Sequence, residues 1–193
     1  MKGVECLRKA DTVVYDRLAP EALLAHARPE AELIYVGKKP GESSMSQEEI
    51  NALLVGLGCA GQTVVRLKGG DPYVFGRGGE EALELIRAGL PFEVVPGITS
   101  GIAAPAYAGI PVTHRGLSTS VAFVTGHEDP TKGESDVDWK KLANGAETLV
   151  LYMGVGRLAE ISSELISAGR DPKRRSPASG GGPVPSRGPL PAR

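Results

Sequence analysis

The chain has 193 residues, 41% of them hydrophobic and 23% charged, and a formal net charge of -1. That balance suits a soluble globular fold of one large or two small domains and excludes wholesale disorder. It also argues against the basic footprint of a nucleic-acid binder, and no uninterrupted apolar run reaches the length of a membrane span. Met1 to Cys6 leads into a charged amphipathic segment without the apolar core of a secretory signal, so the expected location is the cytoplasm. Cys6 and Cys59, two in all, lack metal-ligand spacing and read as reduced thiols.

In chain order, Val4, Leu7 and Ala10 recur at helical spacing over residues 3–10, and Thr12 to Tyr15 is a β-branched and aromatic run that predicts a strand. Pro20 to His26 predicts a short helix and Leu33 to Val36 a strand. Ser46 and Glu49 have the spacing of a capping box ahead of Ile50, Leu53, Leu54 and Leu57. A strand follows at Thr63 to Leu67, a helix at Gly79 to Ala88 closed by Gly89, a strand at Phe92 to Val95 and a small-residue helix at Thr99 to Ala108. Val121 to Thr125 and Thr148 to Tyr152 read as further strands, and Leu158, Ile161 and Leu165 stripe a helix ending near Gly169. This alternation predicts an α/β fold of mostly parallel sheets with helices on both faces. A polar, proline-led link between Pro111 and Ser118 separates an expected first lobe, residues 1–114, from a second, residues 115–171. Residues 172–193 hold six prolines and four glycines with almost no large apolar side chain, so they cannot build a core and are expected to be a disordered tail.

The most informative stretch is Arg66-Leu67-Lys68-Gly69-Gly70-Asp71-Pro72-Tyr73-Val74-Phe75-Gly76-Arg77-Gly78-Gly79-Glu80-Glu81, where an apolar run stops at two glycines, an aspartate and a proline. Glycines at a strand tip let backbone press against a neighbour, and proline forbids the strand to continue. A phosphate loop would need Gly-Lys followed by Ser or Thr, whereas this loop ends in two carboxylates. His114 and His127 have no Cys or His partner at ligand spacing, so no metal is expected. Taken alone, these residues read first as ordinary turns, and Asp16 and Lys38, each at a strand tip, read first as a turn former and a surface charge.

Together with Val94-Val95-Pro96-Gly97-Ile98-Thr99-Ser100, Ile110-Pro111-Val112-Thr113-His114-Arg115, Val124-Thr125-Gly126-His127 and Leu151-Tyr152-Met153-Gly154, that stretch resembles the uroporphyrinogen-III C-methyltransferases of the tetrapyrrole methylase family, over about residues 2 to 171. The resemblance implies two unlike αβα lobes with S-adenosyl-L-methionine between them. It implies a cofactor site of Gly69, Gly70, Asp71, Val74, Thr99, Ser100 and Met153, although Ser100 stands where the family more often has alanine. It gives Asp16 the role of proton acceptor and Lys38 that of proton donor, with uroporphyrinogen III as substrate and a homodimer as the assembly. The carboxylates of such a substrate call for cations, for which Arg17, Lys38, Lys39, Arg66, Arg77, His114 and Arg115 are candidates. Against the family pattern the chain reads as truncated at both ends, with the first strand missing and the second lobe incomplete. Three other readings stay open: a sister enzyme acting on a later corrin precursor, a non-catalytic remnant and a nucleotide-binding module.

Overall fold

Val13 and Val14 are neighbours on the chain and both wholly buried, which in a strand means that two opposite faces are covered. The computed structural model describes residues 1–37, 45–127 and 137–174. By backbone proximity the chain divides into two units, Met1–Thr99 and Ser100–Arg193.

In the first unit, β1 (Thr12–Tyr15) lies between β2 (Glu32–Tyr35) and β3 (Val64–Leu67), and both pairings are parallel. Val14 is level with Ile34 on one side and Arg66 on the other. One face carries Val13, Val65 and Leu67 against Leu7 and Ala10 at helix α1 (Lys2–Lys9) and against Leu23 and Leu24 of a 3-10 turn (Glu21–His26). The other carries Val14, Ile34 and Val64 against Ile50, Leu54 and Leu57 of α2 (Gln47–Cys59) and Leu85 of α3 (Gly78–Arg87). The capping box expected at α2 is present: Ser46 Oγ accepts the Glu49 N–H at 3.2 Å, and Glu49 Oε2 accepts the Ser46 N–H at 2.6 Å. Asp11 fastens the strand entrances, accepting the Thr63 N–H at 2.7 Å and an Arg28 N–H at 2.6 Å.

The strand expected at Phe92 to Val95 does not form, because none of its residues has a ladder partner. Its composition suits a sheet, but a strand exists only where a neighbour supplies N–H and C=O groups in register. Among the described residues β3 is paired on the β1 side alone. Residues 92–95 run beside α1 instead, where Lys2 pairs with Glu93 at 3.1 Å and the Cys6 thiol meets the same carboxylate at 3.5 Å.

In the second unit, β4 (Val121–Thr125) and β5 (Thr148–Tyr152) pair in parallel. Val124, with Leu151 packed against it, faces Trp139 of α5 (Trp139–Gly145) and Ile161 and Leu165 of α6 (Leu158–Ser167). The other face receives α4 (Ser100–Tyr107), whose Gly101 N–H donates to the Tyr152 hydroxyl at 2.7 Å. A Cβ at Gly101 would stand 2.9 Å from both Phe123 and Val150, so only glycine seats the helix that deeply. Helix α4, which the boundary at 114/115 assigned to the first lobe, therefore goes with β4 and β5. Arg170 closes the unit by donating to the Ala143, Ala146 and Glu147 carbonyls at 2.9, 3.1 and 2.8 Å. The tail lies outside the described residues from position 175 onward, and no described helix is long and apolar enough to cross a membrane.

Candidate functional site

The chemistry-bearing residues of the first unit gather where the parallel strands end, the edge at which α/β folds present loops to ligands. Asp16 follows β1 directly. Its Oδ1 accepts the Leu18 N–H at 2.9 Å, fixing the turn, and its Oδ2 accepts from Arg66 Nη2 at 2.8 Å. Arg66 also donates through Nε to Glu81 at 3.2 Å and through Nη1 to the Leu67 carbonyl at 3.0 Å. Glu81 Oε1 further accepts from Lys68 Nζ at 3.0 Å and from Gln47 at 3.3 Å. Arg66, Lys68 and Glu81 are all nearly buried. Burial pulls the Lys68 ammonium below its ordinary range, Arg66 adds to the effect, and Glu81 opposes it.

The glycine loop is built first for its own chain. A Cβ on Gly69 would come within 2.5 Å of the Leu18 carbonyl oxygen, so this glycine lets the exits of β1 and β3 touch. Gly70 turns through a left-handed φ of 73°. Asp71 is a clasp: Oδ1 accepts the Tyr73 N–H at 2.8 Å, and Oδ2 accepts the Gly97 N–H at 3.0 Å across 26 residues of chain. Phe75 and Arg77 are left-handed non-glycine residues at φ 50° and 57°, a conformation that costs about 1 to 2 kcal/mol each. The loop keeps them by curling round the Pro72 carbonyl, which accepts the Gly78 N–H at 3.0 Å. Such over-determined backbone concentrates at functional sites. Arg77 meets Glu80 through two bonds of 2.9 and 2.7 Å and holds that carboxyl below the usual carboxylate range.

Of the other expected cofactor residues, Val74 is half-buried in this loop and Thr99 is buried at the end of the first unit. Ser100 is exposed at the start of α4 and Met153 follows β5, so both belong to the second unit. Met153 is left-handed at φ 54° yet 60% exposed, an apolar side chain held outward at a strand tip. Beside it, a Cβ on Gly126 would stand 2.5 Å from Gly154 Cα, so the tips of β4 and β5 touch through glycines as those of β1 and β3 do. Lys38 and Lys39 lie outside the described residues. Among the other candidate cations, Arg66 is committed to Asp16 and Glu81, Arg77 to Glu80, and Arg17 is exposed. Among the described residues no group of three His, Cys, Asp or Glu side chains is placed to hold a metal ion. Sequence reasoning overlooked the structural partners Leu18 and Gly97; a lone arginine inside the apolar run Thr63 to Leu67 was the available sign of a buried ion network.

Two parallel α/β units with closely packed glycine loops at their strand tips define an α/β class, in which the strand tips are the edge where ligands generally bind. Residues 1–178 match the family of tetrapyrrole (corrin/porphyrin) methylases, and the chain belongs to that family. It is 55% and 54% identical to two uroporphyrinogen-III C-methyltransferases of Bacillus subtilis (strain 168), each over 89% of this chain. It spans 36% of the length of the first and 66% of the second. The fold is similar to the crystal structure of a Thermus thermophilus uroporphyrin-III C-methyltransferase complexed with S-adenosyl homocysteine. The TM-score is 0.71 at 48% identity, over 89% of this chain and 71% of that one.

Proposed function

We propose that the chain carries the S-adenosyl-L-methionine-dependent C-methylation of uroporphyrinogen III, giving precorrin-2 on the route to sirohaem and cobalamin, as a cytoplasmic homodimer. The observation that carries the reading is the likeness to a Thermus relative holding S-adenosyl homocysteine, together with the stiff glycine loop this chain builds after β3. The residues fit such a ligand. Its adenosine and amino-acid parts suit backbone N–H and C=O groups and apolar side chains, and the first unit presents a tightly turned loop from Gly69 to Gly78 at its strand tips, the second an outward Met153 at its own. Gly69, Gly70, Asp71, Val74 and Thr99 form the part of the cofactor site contributed by the first unit, Asp71 through the backbone its carboxylate braces. For Ser100 and Met153, which belong to the second unit, the family likeness alone supports a cofactor contact.

When bound, the cofactor supplies an electrophilic methyl group for in-line attack by an electron-rich pyrrole carbon. Asp16, with one carboxylate oxygen on Leu18 and the other on Arg66, is the proton acceptor and Lys38 the proton donor, and between them protons move around the macrocycle so that it loses one net for each methyl group it gains. No nucleic acid, membrane or metal ion enters the reaction.

Calorimetric titration with S-adenosyl homocysteine tests this. Saturable heat that ATP does not compete away is expected, followed by methyl transfer to uroporphyrinogen III rather than to a later corrin precursor. Absence of binding, or competition by ATP, would sink the reading. Replacing Met153 with glycine separates strain from ligand contact. The left-handed penalty disappears, so the second unit should gain up to about 1 kcal/mol by Trp139 fluorescence melts. S-adenosyl homocysteine should bind about tenfold more weakly for the loss of an apolar contact. A parent-like affinity would remove Met153 from the site.

A further inference from the structure

We propose that Arg66 is a positioning residue for proton transfer: its guanidinium aims the Asp16 carboxylate, and Glu81 holds the guanidinium from behind. The inference rests on the reading of Asp16 as proton acceptor and extends it to two residues that no part of that reading needs.

Register places Arg66 level with Val14, on the face covered by α2 and α3, where an apolar side chain would be the ordinary occupant. Its side chain is 13% exposed, so the charge has lost most of its water, and a buried cation persists only when its donors are met. They are met in three directions. Nε donates to Glu81 at 3.2 Å, Nη1 to the Leu67 carbonyl at 3.0 Å, and Nη2 to Asp16 at 2.8 Å. Glu81 belongs to α3, whose first residue, Gly78, is bound to the Pro72 carbonyl, so the network is anchored in the same loop that shapes the site.

Asp16 receives the result. One oxygen is tied to its own turn and the other to Arg66, so both ends of the carboxylate are held, while a quarter of the side chain still meets solvent. A carboxylate that removes a proton from one defined carbon gains from such fixation, because misplacement by about 1 Å can cost a hundredfold in rate. Glu81, between Arg66 and Lys68, holds the inner side of the network, and the third arm runs outward to Asp16 at the strand tip, so the one contact that satisfies Nη2 also fixes the proposed acceptor.

Four forms of the chain settle the matter: Arg66→Gln, Arg66→Lys, Asp16→Asn and the Asp16→Asn/Arg66→Gln double variant. Each is assayed for kcat and KM with uroporphyrinogen III, and for S-adenosyl homocysteine affinity by calorimetry. Arg66→Gln is expected to lower kcat about tenfold to a hundredfold. KM and affinity should hold within about twofold. Arg66→Lys keeps the charge without the fork and should recover part of the loss. In the Asp16→Asn background Arg66→Gln should cost less than about twofold, since a residue acting through Asp16 has nothing left to aim. The full cost persisting in that background, or a parent-like kcat in Arg66→Gln beside a crippled Asp16→Asn, overturns the positioning role alone. A parent-like kcat in Asp16→Asn, or a parent chain without turnover, overturns the reading beneath it. If circular dichroism shows Arg66→Gln unfolded, Arg66→Lys decides: reduced kcat at unchanged affinity supports the role and parent-like kcat refutes it.

Discussion

Glu81→Gln is expected to destabilise the first unit by about 3 to 5 kcal/mol, the cost of stranding buried charge by removing its partner. The amide nearly matches the carboxylate in shape, so what changes is the countercharge for Arg66 and Lys68, both almost out of water and bonded at 3.2 and 3.0 Å to one Glu81 oxygen. The neighbouring Glu80→Gln is the control. Its pair with Arg77 is about half exposed on both sides, and its loss should cost less than about 1 kcal/mol. Native-state hydrogen exchange at the amides of Val13 and Val14 reads the difference directly, because these core residues open only when the sheet does. Equal effects from the two substitutions would show that the buried network is no stronger than a surface pair.

Gly97→Ala is expected to be nearly as severe, at about 3 kcal/mol, through overpacking rather than charge. A Cβ at this position would overlap the Gly70 carbonyl oxygen and stand 3.4 Å from Asp71 Cα. Gly97 does not have a left-handed φ, so backbone torsion is not the obstacle. Both partners are main chain and cannot swing away, and the Asp71 clasp to the Gly97 N–H must lengthen to admit the methyl group. Urea unfolding followed by circular dichroism would measure the loss, and S-adenosyl homocysteine affinity should fall with it because the same backbone borders the proposed cofactor site. A substitution tolerated within about 0.5 kcal/mol would mean that the two loops are not held in contact.

The order of elements was legible because parallel α/β chains write each strand as a short β-branched run and each helix as a longer stripe. Thr12 to Tyr15, the Ser46 capping box and the paired runs at Val121 and Thr148 appear where those signals stand. Two local patterns misled. Phe92 to Val95 has strand composition without a ladder partner, and no reading of a segment in isolation can count its neighbours. Helix α4 was assigned by the position of a proline-led link, whereas its seat is decided by Gly101 and a tyrosine hydroxyl 51 residues further along.

The site was legible as a place rather than as a set of contacts. Gly69 and Asp71 marked the tip of β3, and folding adds what the sequence does not write: the Leu18 carbonyl against Gly69 and the Gly97 N–H on the Asp71 carboxylate. Arg66 was noticed as a cation available for substrate carboxylates; its partners Asp16 and Glu81 lie 50 and 15 residues away, and only folding reveals that its donors are already committed.

The sheet of the first unit also sets a schedule for the ribosome. β1 leaves the exit tunnel before both strands that flank it, since Thr12 must wait for Glu32 on one side and Val64 on the other. A short centre with two buried valines thus spends much of translation with bare amides and carbonyls, the condition under which nascent chains stick to one another or recruit chaperones. Slower decoding between β2 and β3 would prolong that exposure, and the yield of native protein in a cell would fall before any property of the finished molecule had changed.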